Sequence, residues 1–190
     1  MTKRRKKALG TLLAGLLGLL FAWLQQQGYV EPAYKQAVES QPGQYRVIRV
    51  VDGDTITIDM HGTDETIRLI GVDTPETNDP RKEVQCFGSA ATDFTKKLIG
   101  KNTVRLQSDP TNTNRDRYNR LLRYVYLPNN QLVNAEIIKQ GYGFAYTSFP
   151  FEKLNEFKQY QKQAEENNLG LWQQCDVTSE ESGQTYTNPE

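Results

Sequence analysis

Between Val51 and Glu76 the chain gathers seven carboxylates (Asp52, Asp54, Asp59, Asp64, Glu65, Asp73 and Glu76) against a single arginine, Arg68. Acid at that density suits a cation, and Asp54 and Asp73 are hard oxygen donors next to strand ends. Oxygen-only ligation favours Ca²⁺ or Mg²⁺ over zinc or copper. From Arg81 to Tyr124 the balance reverses, with ten basic residues against four acids. A polyanion chelating a metal between the two blocks accounts for both, although charge runs are most often solvated faces. Hydrolysis of a phosphodiester asks for this set. It needs a cation on a phosphoryl oxygen, a group that orients or deprotonates water, and guanidinium groups for the growing equatorial charge. The only histidine, His61, stands beside Gly62 in a hairpin turn, so histidine-based catalysis and a His/Cys zinc site are both excluded.

Local readings compete for the same residues. Asp52-Gly53 is a common hairpin turn, and Asp73-x-x-Glu76 has the form of a capping box. Asn78, Asp79 and Pro80 follow that box and break a helix rather than continue one. Arg68 alone reads equally as an exposed partner of Glu65, and Arg120 as a solvated charge in a loop entering a strand.

The elements that must position these groups are legible from periodicity. A strand begins near Tyr45, and Thr55–Ile58 and Thr66–Ile70 carry β-branched or alternating runs. Helices are expected over 88–98 with Ala91, Phe94 and Leu98 facing the core, over 132–139, and over 152–168 with Leu154, Phe157, Tyr160 and Ala164 inward. Strands are expected at 103–106 and 121–127. Strands first, helices inserted and appended, five strands in all: this makes an α+β chain with a small barrel.

Asp52-Gly53-Asp54-Thr55, Arg68, Val72-Asp73-Thr74-Pro75-Glu76 and Asp116-Arg117-Tyr118-Asn119-Arg120 together resemble the thermonuclease family of staphylococcal-nuclease-like secreted phosphodiesterases. The resemblance runs from about Tyr45 to Trp172. It implies a five-stranded OB-fold barrel with three helices and Ca²⁺-dependent hydrolysis of DNA and RNA, leaving 3′-phosphates. By the same resemblance Asp54, Asp73 and the carbonyl of Thr74 hold Ca²⁺, Glu76 handles the attacking water, and Arg68 and Arg120 grip the phosphate. The resemblance also implies that Tyr118 and Tyr146 line the nucleotide pocket, though Tyr146 is equally readable as core, and that Arg117 and Lys82 meet terminal or neighbouring phosphates. The family commonly has glycine where Asn119 stands, and asparagine tolerates the same left-handed backbone. A binding module without catalysis and a Ca²⁺-stabilised surface protein are the rival classes. The first predicts loss of Glu76 or of an arginine, and none is lost, while the second predicts Ca²⁺-dependent melting without turnover and does not require the paired arginines.

Location is read from the chain's start. Lys3, Arg4, Arg5, Lys6 and Lys7 precede a charge-free apolar run of 17 residues, Ala8 to Leu24. That order faces the N-terminus inward and the rest outward. Residues 1–24 are expected to be an uncleaved membrane anchor or, alternatively, a cleaved signal peptide. Residues 25–44 read as a polar tether, 45–172 as the nuclease domain, and 173–190 as a disordered tail. Without the basic cluster the remainder carries 18 basic against 23 acidic residues, so nucleic acid must be held by a local patch or a cation rather than by bulk charge. Cys86 and Cys175 would pair in an oxidising compartment, closing a loop that adds ~3–5 kcal/mol on the chain-entropy model; two unrelated buried thiols are the alternative.

Overall fold

The structure is a computed structural model and describes Trp23 and residues 43–77, 83–180 and 185–189. The chain divides into two compact units, Met1–Glu39 and Ser40–Glu190. Apart from Trp23, the expected anchor lies outside the described residues, among which no helix is long and apolar enough to cross a membrane.

Five strands of the second unit close into a barrel in the order β1–β2–β3–β6–β5. They are β1 (Gln44–Asp52), β2 (Thr55–Met60), β3 (Thr63–Leu69), β5 (Thr103–Gln107) and β6 (Leu121–Tyr126). β1 pairs with both β2 and β5, and two register shifts along its β2 edge curl it so that it can serve both neighbours. β2 and β3 form a two-residue hairpin whose turn residues, His61 (φ 56°) and Gly62 (φ 86°), are both left-handed. That is the backbone a tight hairpin of this twist demands. β3 runs parallel to β6, with Ile67 opposite Leu121 and Leu69 opposite Arg123. Ile56, Ile58, Ile67, Val104 and Val125 are wholly buried and fill the core.

The expected α+β barrel is present, and among the described residues it carries four named helices rather than three: α1 (Gly88–Ile99), α2 (Val133–Lys139), α3 (Leu154–Glu166) and the short α4 (Leu171–Gln174). Two small sheets lie outside the barrel. In one, β4 (Val72–Asp73) pairs with β7 (Phe144–Ala145). In the other, β8 (Val177–Ser179) pairs with β9 (Thr185–Thr187). This second pair corrects the expectation of a disordered tail. The segment has no apolar periodicity; its order comes from cross-strand pairing, from one main-chain bond between Asn188 and Cys86, and from the Thr187 hydroxyl on the carbonyl of Cys86, a residue remote in sequence. A Cys86–Cys175 disulfide ties the approach to α1 to the end of α4.

Buried polar groups fix the segments around the barrel mouth. The Asn134 amide donates to the Ile70 carbonyl (2.9 Å) and accepts from the Val125 N–H (2.9 Å), joining the end of β3 to β6 through α2. Asp109 accepts from the Tyr124 hydroxyl (2.5 Å), the Glu152 N–H (2.8 Å) and both donors of Thr111 (2.8 and 2.6 Å). Burial alone would raise its carboxyl pKa, but those donors, with the Thr111 and Tyr124 hydroxyls foremost, hold it below the ordinary value. Its stabilising share is therefore present above about pH 4 and is lost as pH falls through the depressed native pKa. Asp109→Asn should cost about 1–3 kcal/mol at pH 7 and flatten the acid limb of a stability-against-pH curve. Urea melts at pH 7 and pH 3 check this, and an equal deficit at both would refute the linkage.

Candidate active site

The turn between β1 and β2 places Asp54. Its two oxygens are taken from two sides: Oδ2 accepts the Thr74 N–H (2.9 Å) and hydroxyl (3.1 Å), while Oδ1 accepts the Thr55 hydroxyl (3.0 Å) and faces Arg68 Nη1 at 2.5 Å. The approach requires glycine at 53, where a Cβ would stand 2.7 Å from Thr74 Cγ2. The Gly53 carbonyl is itself pinned by the buried Thr95 hydroxyl of α1 (2.7 Å). Arg68 leaves β3 on the same side, and its Nη2 meets Asp73 Oδ1 at 2.9 Å while Nη1 donates to the Val72 carbonyl. The alternative in which Arg68 is an exposed partner of Glu65 is therefore not the arrangement found. Glu65 instead takes both Nη atoms of Arg115 (3.0 and 3.1 Å).

One guanidinium faces three acids here. Burial, then the neighbouring Asp54, pushes the Asp52 carboxyl up to about 7. Burial also raises Asp73 to about 6, Arg68 opposing and Asp54 and Glu76 adding to the rise. Desolvation works against the Arg68 charge, yet Asp54, Asp73 and Asp52 raise its pKa above the ordinary arginine value. Negative charge exceeds what Arg68 balances, and the donors are oxygens throughout, so the residues fit a hard divalent cation. Among the described residues no three His, Cys, Asp or Glu side chains are gathered as a cage, so a cation here would draw on Asp54, Asp73, backbone oxygen and water.

The loop ahead of β6 supplies the second guanidinium. Asp116 Oδ1 accepts the N–H groups of Tyr118 and Arg120 (2.9 Å each), and Oδ2 accepts Arg120 Nε at 2.7 Å. The tight return needs a left-handed residue, which Asn119 provides at φ 64°. Arg115 holds the Asn119 carbonyl at 2.7 Å and carries the Glu65 ion pair, so the loop is fastened to β3. Tyr118 is 61 % exposed, with the guanidinium carbons of Arg117 and Arg120 at 4.8 and 5.3 Å from its ring centre.

These parts share one open cleft of about 710 Å³, where Arg68, Asp73, Arg117, Tyr118, Arg120 and Tyr146 all contribute wall. Pairing of β4 with β7 brings Tyr146 to Asp73's side. Asp54 and Thr74 stand just behind, bonded to each other and, through Asp54, to Arg68. Glu76 lies close enough to Asp73 to raise its pKa; its Oε1 accepts the Thr77 N–H (3.0 Å). Lys82 lies outside the described residues. Sequence reading named Asp52 and Asp116 within motifs but gave no site role to them, to Arg115 or to Phe149. Phe149 is 60 % exposed, with its ring centre 6.0 Å from that of Tyr146. An exposed aromatic three residues after Tyr146 was the available signal for it.

Two arginines, Asp73 with Asp54 bonded to Arg68 behind it, and aromatic walls at one cleft equip the molecule to hydrolyse phosphodiesters of a polynucleotide. Comparison with known proteins gives the same class. Residues 66–174 match the family described as staphylococcal nuclease homologue. The thermonuclease of Staphylococcus intermedius is 39% identical over 163 residues, which cover 85% of this chain and 94% of that protein. The thermonuclease of Staphylococcus hyicus is 37% identical over 162 residues, covering 85% and 93%. Endonuclease YncB of Bacillus subtilis is 35% identical over 126 residues, 65% of this chain and 59% of that protein. The chain belongs to the staphylococcal nuclease homologue family, and it is a nuclease.

Proposed function

We propose that this nuclease is calcium-dependent, acts outside the cytoplasm on DNA and RNA with little sequence preference, and leaves 3′-phosphates. The observation that carries the reading is the meeting of Arg68 and Arg120 in one cleft with Asp73, although Arg68 lies on β3, Asp73 on β4 and Arg120 in the loop ahead of β6, far along the chain. Asp54, Asp73 and the Thr74 carbonyl would hold Ca²⁺, which when bound neutralises charge on a phosphoryl oxygen. Arg68 and Arg120 grip the phosphate and balance the equatorial charge of the pentacoordinate transition state. Glu76 orients water and takes its proton. The water oxygen bonds to phosphorus, the phosphorus–O5′ bond breaks, and O5′ leaves as a hydroxyl after accepting a proton. Tyr118 and Tyr146 offer flat faces to bases, which tolerates any sequence. Arg117 and Lys82 serve neighbouring phosphates.

The basic cluster followed by an apolar run supports export with the N-terminal segment as membrane anchor, and the Cys86–Cys175 disulfide suits an oxidising compartment. The decisive assay incubates the protein with single- and double-stranded DNA and with RNA, in Ca²⁺ and in a chelator, and identifies product ends. Cleavage only with Ca²⁺, ending in 3′-phosphates, is expected. Undiminished cleavage in chelator, or 5′-phosphate ends, would refute this reading.

A further inference from the structure

Glu76 sits on a segment outside the barrel, and a general base on such a segment needs an anchor. The structure supplies one. The Glu76 N–H donates to Gln85 Oε1 at 2.7 Å, and the Gln85 N–H donates back to the Glu76 carbonyl at 2.9 Å. Gln85 in turn forms a bridge with Pro189, next to the β8–β9 hairpin. The following residue is gripped as well: the Cys86 N–H donates to the Asn188 carbonyl (2.7 Å), and its carbonyl accepts the buried Thr187 hydroxyl (2.8 Å). The disulfide to Cys175 fastens the same point covalently. From the other side α1 presses close, since a Cβ on Gly88 would lie 3.0 Å from the Pro75 carbonyl and 3.1 Å from that of Glu76.

We propose that Gln85, backed by the C-terminal hairpin and the disulfide, is a positioning residue for hydrolysis: a clasp that holds Glu76 where it can handle water. The inference rests on the reading of Glu76 given above. It assigns a purpose to a tail whose composition suggests none, and makes turnover sensitive to reduction of the disulfide. The side-chain bond to the Glu76 N–H is the clasp's innermost link; the main-chain bond survives any substitution at 85 except proline.

The test measures single-turnover and steady-state cleavage by full-length Gln85→Ala, Cys86→Ser/Cys175→Ser, Glu76→Gln and Glu76→Gln/Gln85→Ala proteins, with the folded fraction read by circular dichroism. Gln85→Ala should lower kcat about tenfold to a hundredfold with KM within about twofold, because the reacting group is misplaced and substrate binding is not. The cysteine variant should move the same way. Added to Glu76→Gln, Gln85→Ala should slow the enzyme little further, since the group it positions is already disabled. A merely structural Gln85 would lower the melting temperature and leave kcat per folded molecule alone. Near-normal kcat in Gln85→Ala beside a crippled Glu76→Gln overturns the clasp and spares the base. Near-normal kcat in Glu76→Gln overturns the reading of Glu76 and the clasp with it. Should Gln85→Ala fail to fold, Gln85→Asn, which retracts the acceptor by one methylene, answers the same question.

Discussion

Arg120→Lys should lower kcat about a thousandfold, with a smaller change in KM. The charge is kept and the geometry is not. Arg120 already spends Nε on Asp116 at 2.7 Å while its guanidinium faces the cleft. Lysine brings one ammonium, which cannot keep the Asp116 bond and also offer two donors in a fixed fork to phosphoryl oxygens. If those donors meet charge that grows only in the transition state, their loss falls on kcat. Glu76→Gln should fall by a comparable factor for a different reason: the amide accepts no proton from water. Single-turnover cleavage of a labelled oligonucleotide measures both. A folded Arg120→Lys within tenfold of the parent would remove Arg120 from the transition state.

The second large effect is on stability. Arg68→Met leaves Asp52, Asp54 and Asp73 facing one another without their shared countercharge. Removing one partner of a largely buried ion pair costs about 3–5 kcal/mol, because the remaining charge stays desolvated. The pH dependence has a definite sign. Asp52 and Asp73 titrate at about 7 and about 6 in the folded protein, above the ordinary aspartate value. Relative to the unfolded chain they favour the folded state while protonated, and that contribution is lost as pH rises through 6 and 7. Without Arg68 both move further up, so the deficit measured in chelator should widen from pH 5 to pH 8. Millimolar Ca²⁺ should restore part of the melting temperature of Arg68→Met, since a cation would take over the charge that arginine balanced. A deficit independent of both pH and Ca²⁺ would mean that Arg68 stabilises by packing alone.

Much of this was open to local reading. The hairpin at His61-Gly62, the acids beside Gly53 and the left-handed Asn119 are each dictated within a few residues, by turn chemistry and alternation. Partner choice was not. Arg68 and Arg115 both lie within reach of several acids along the chain. The sorting of Arg68 to Asp54 and Asp73, and of Arg115 to Glu65, follows from the β2–β3 register and the parallel β3–β6 pairing. Asp116 likewise reads as one more acid in a motif until the loop closes and it takes Arg120.

The C-terminal hairpin marks the same boundary. Val177–Ser179 and Thr185–Thr187 carry no hydrophobic period, and sequence alone marked them as disordered. They are ordered by a disulfide, by one main-chain bond from Cys86 to Asn188 and by the Thr187 hydroxyl on the Cys86 carbonyl, contacts that cross about a hundred residues and leave no trace in composition. By itself, then, the sequence determined the barrel's strands, the class of chemistry and the residue types able to perform it, because periodicity and turn geometry act over a handful of positions. The tertiary structure alone decided which acid meets which arginine, where Phe149 stands, and what holds Glu76. Those outcomes depend on barrel closure and strand register, which bring together residues that no local rule connects.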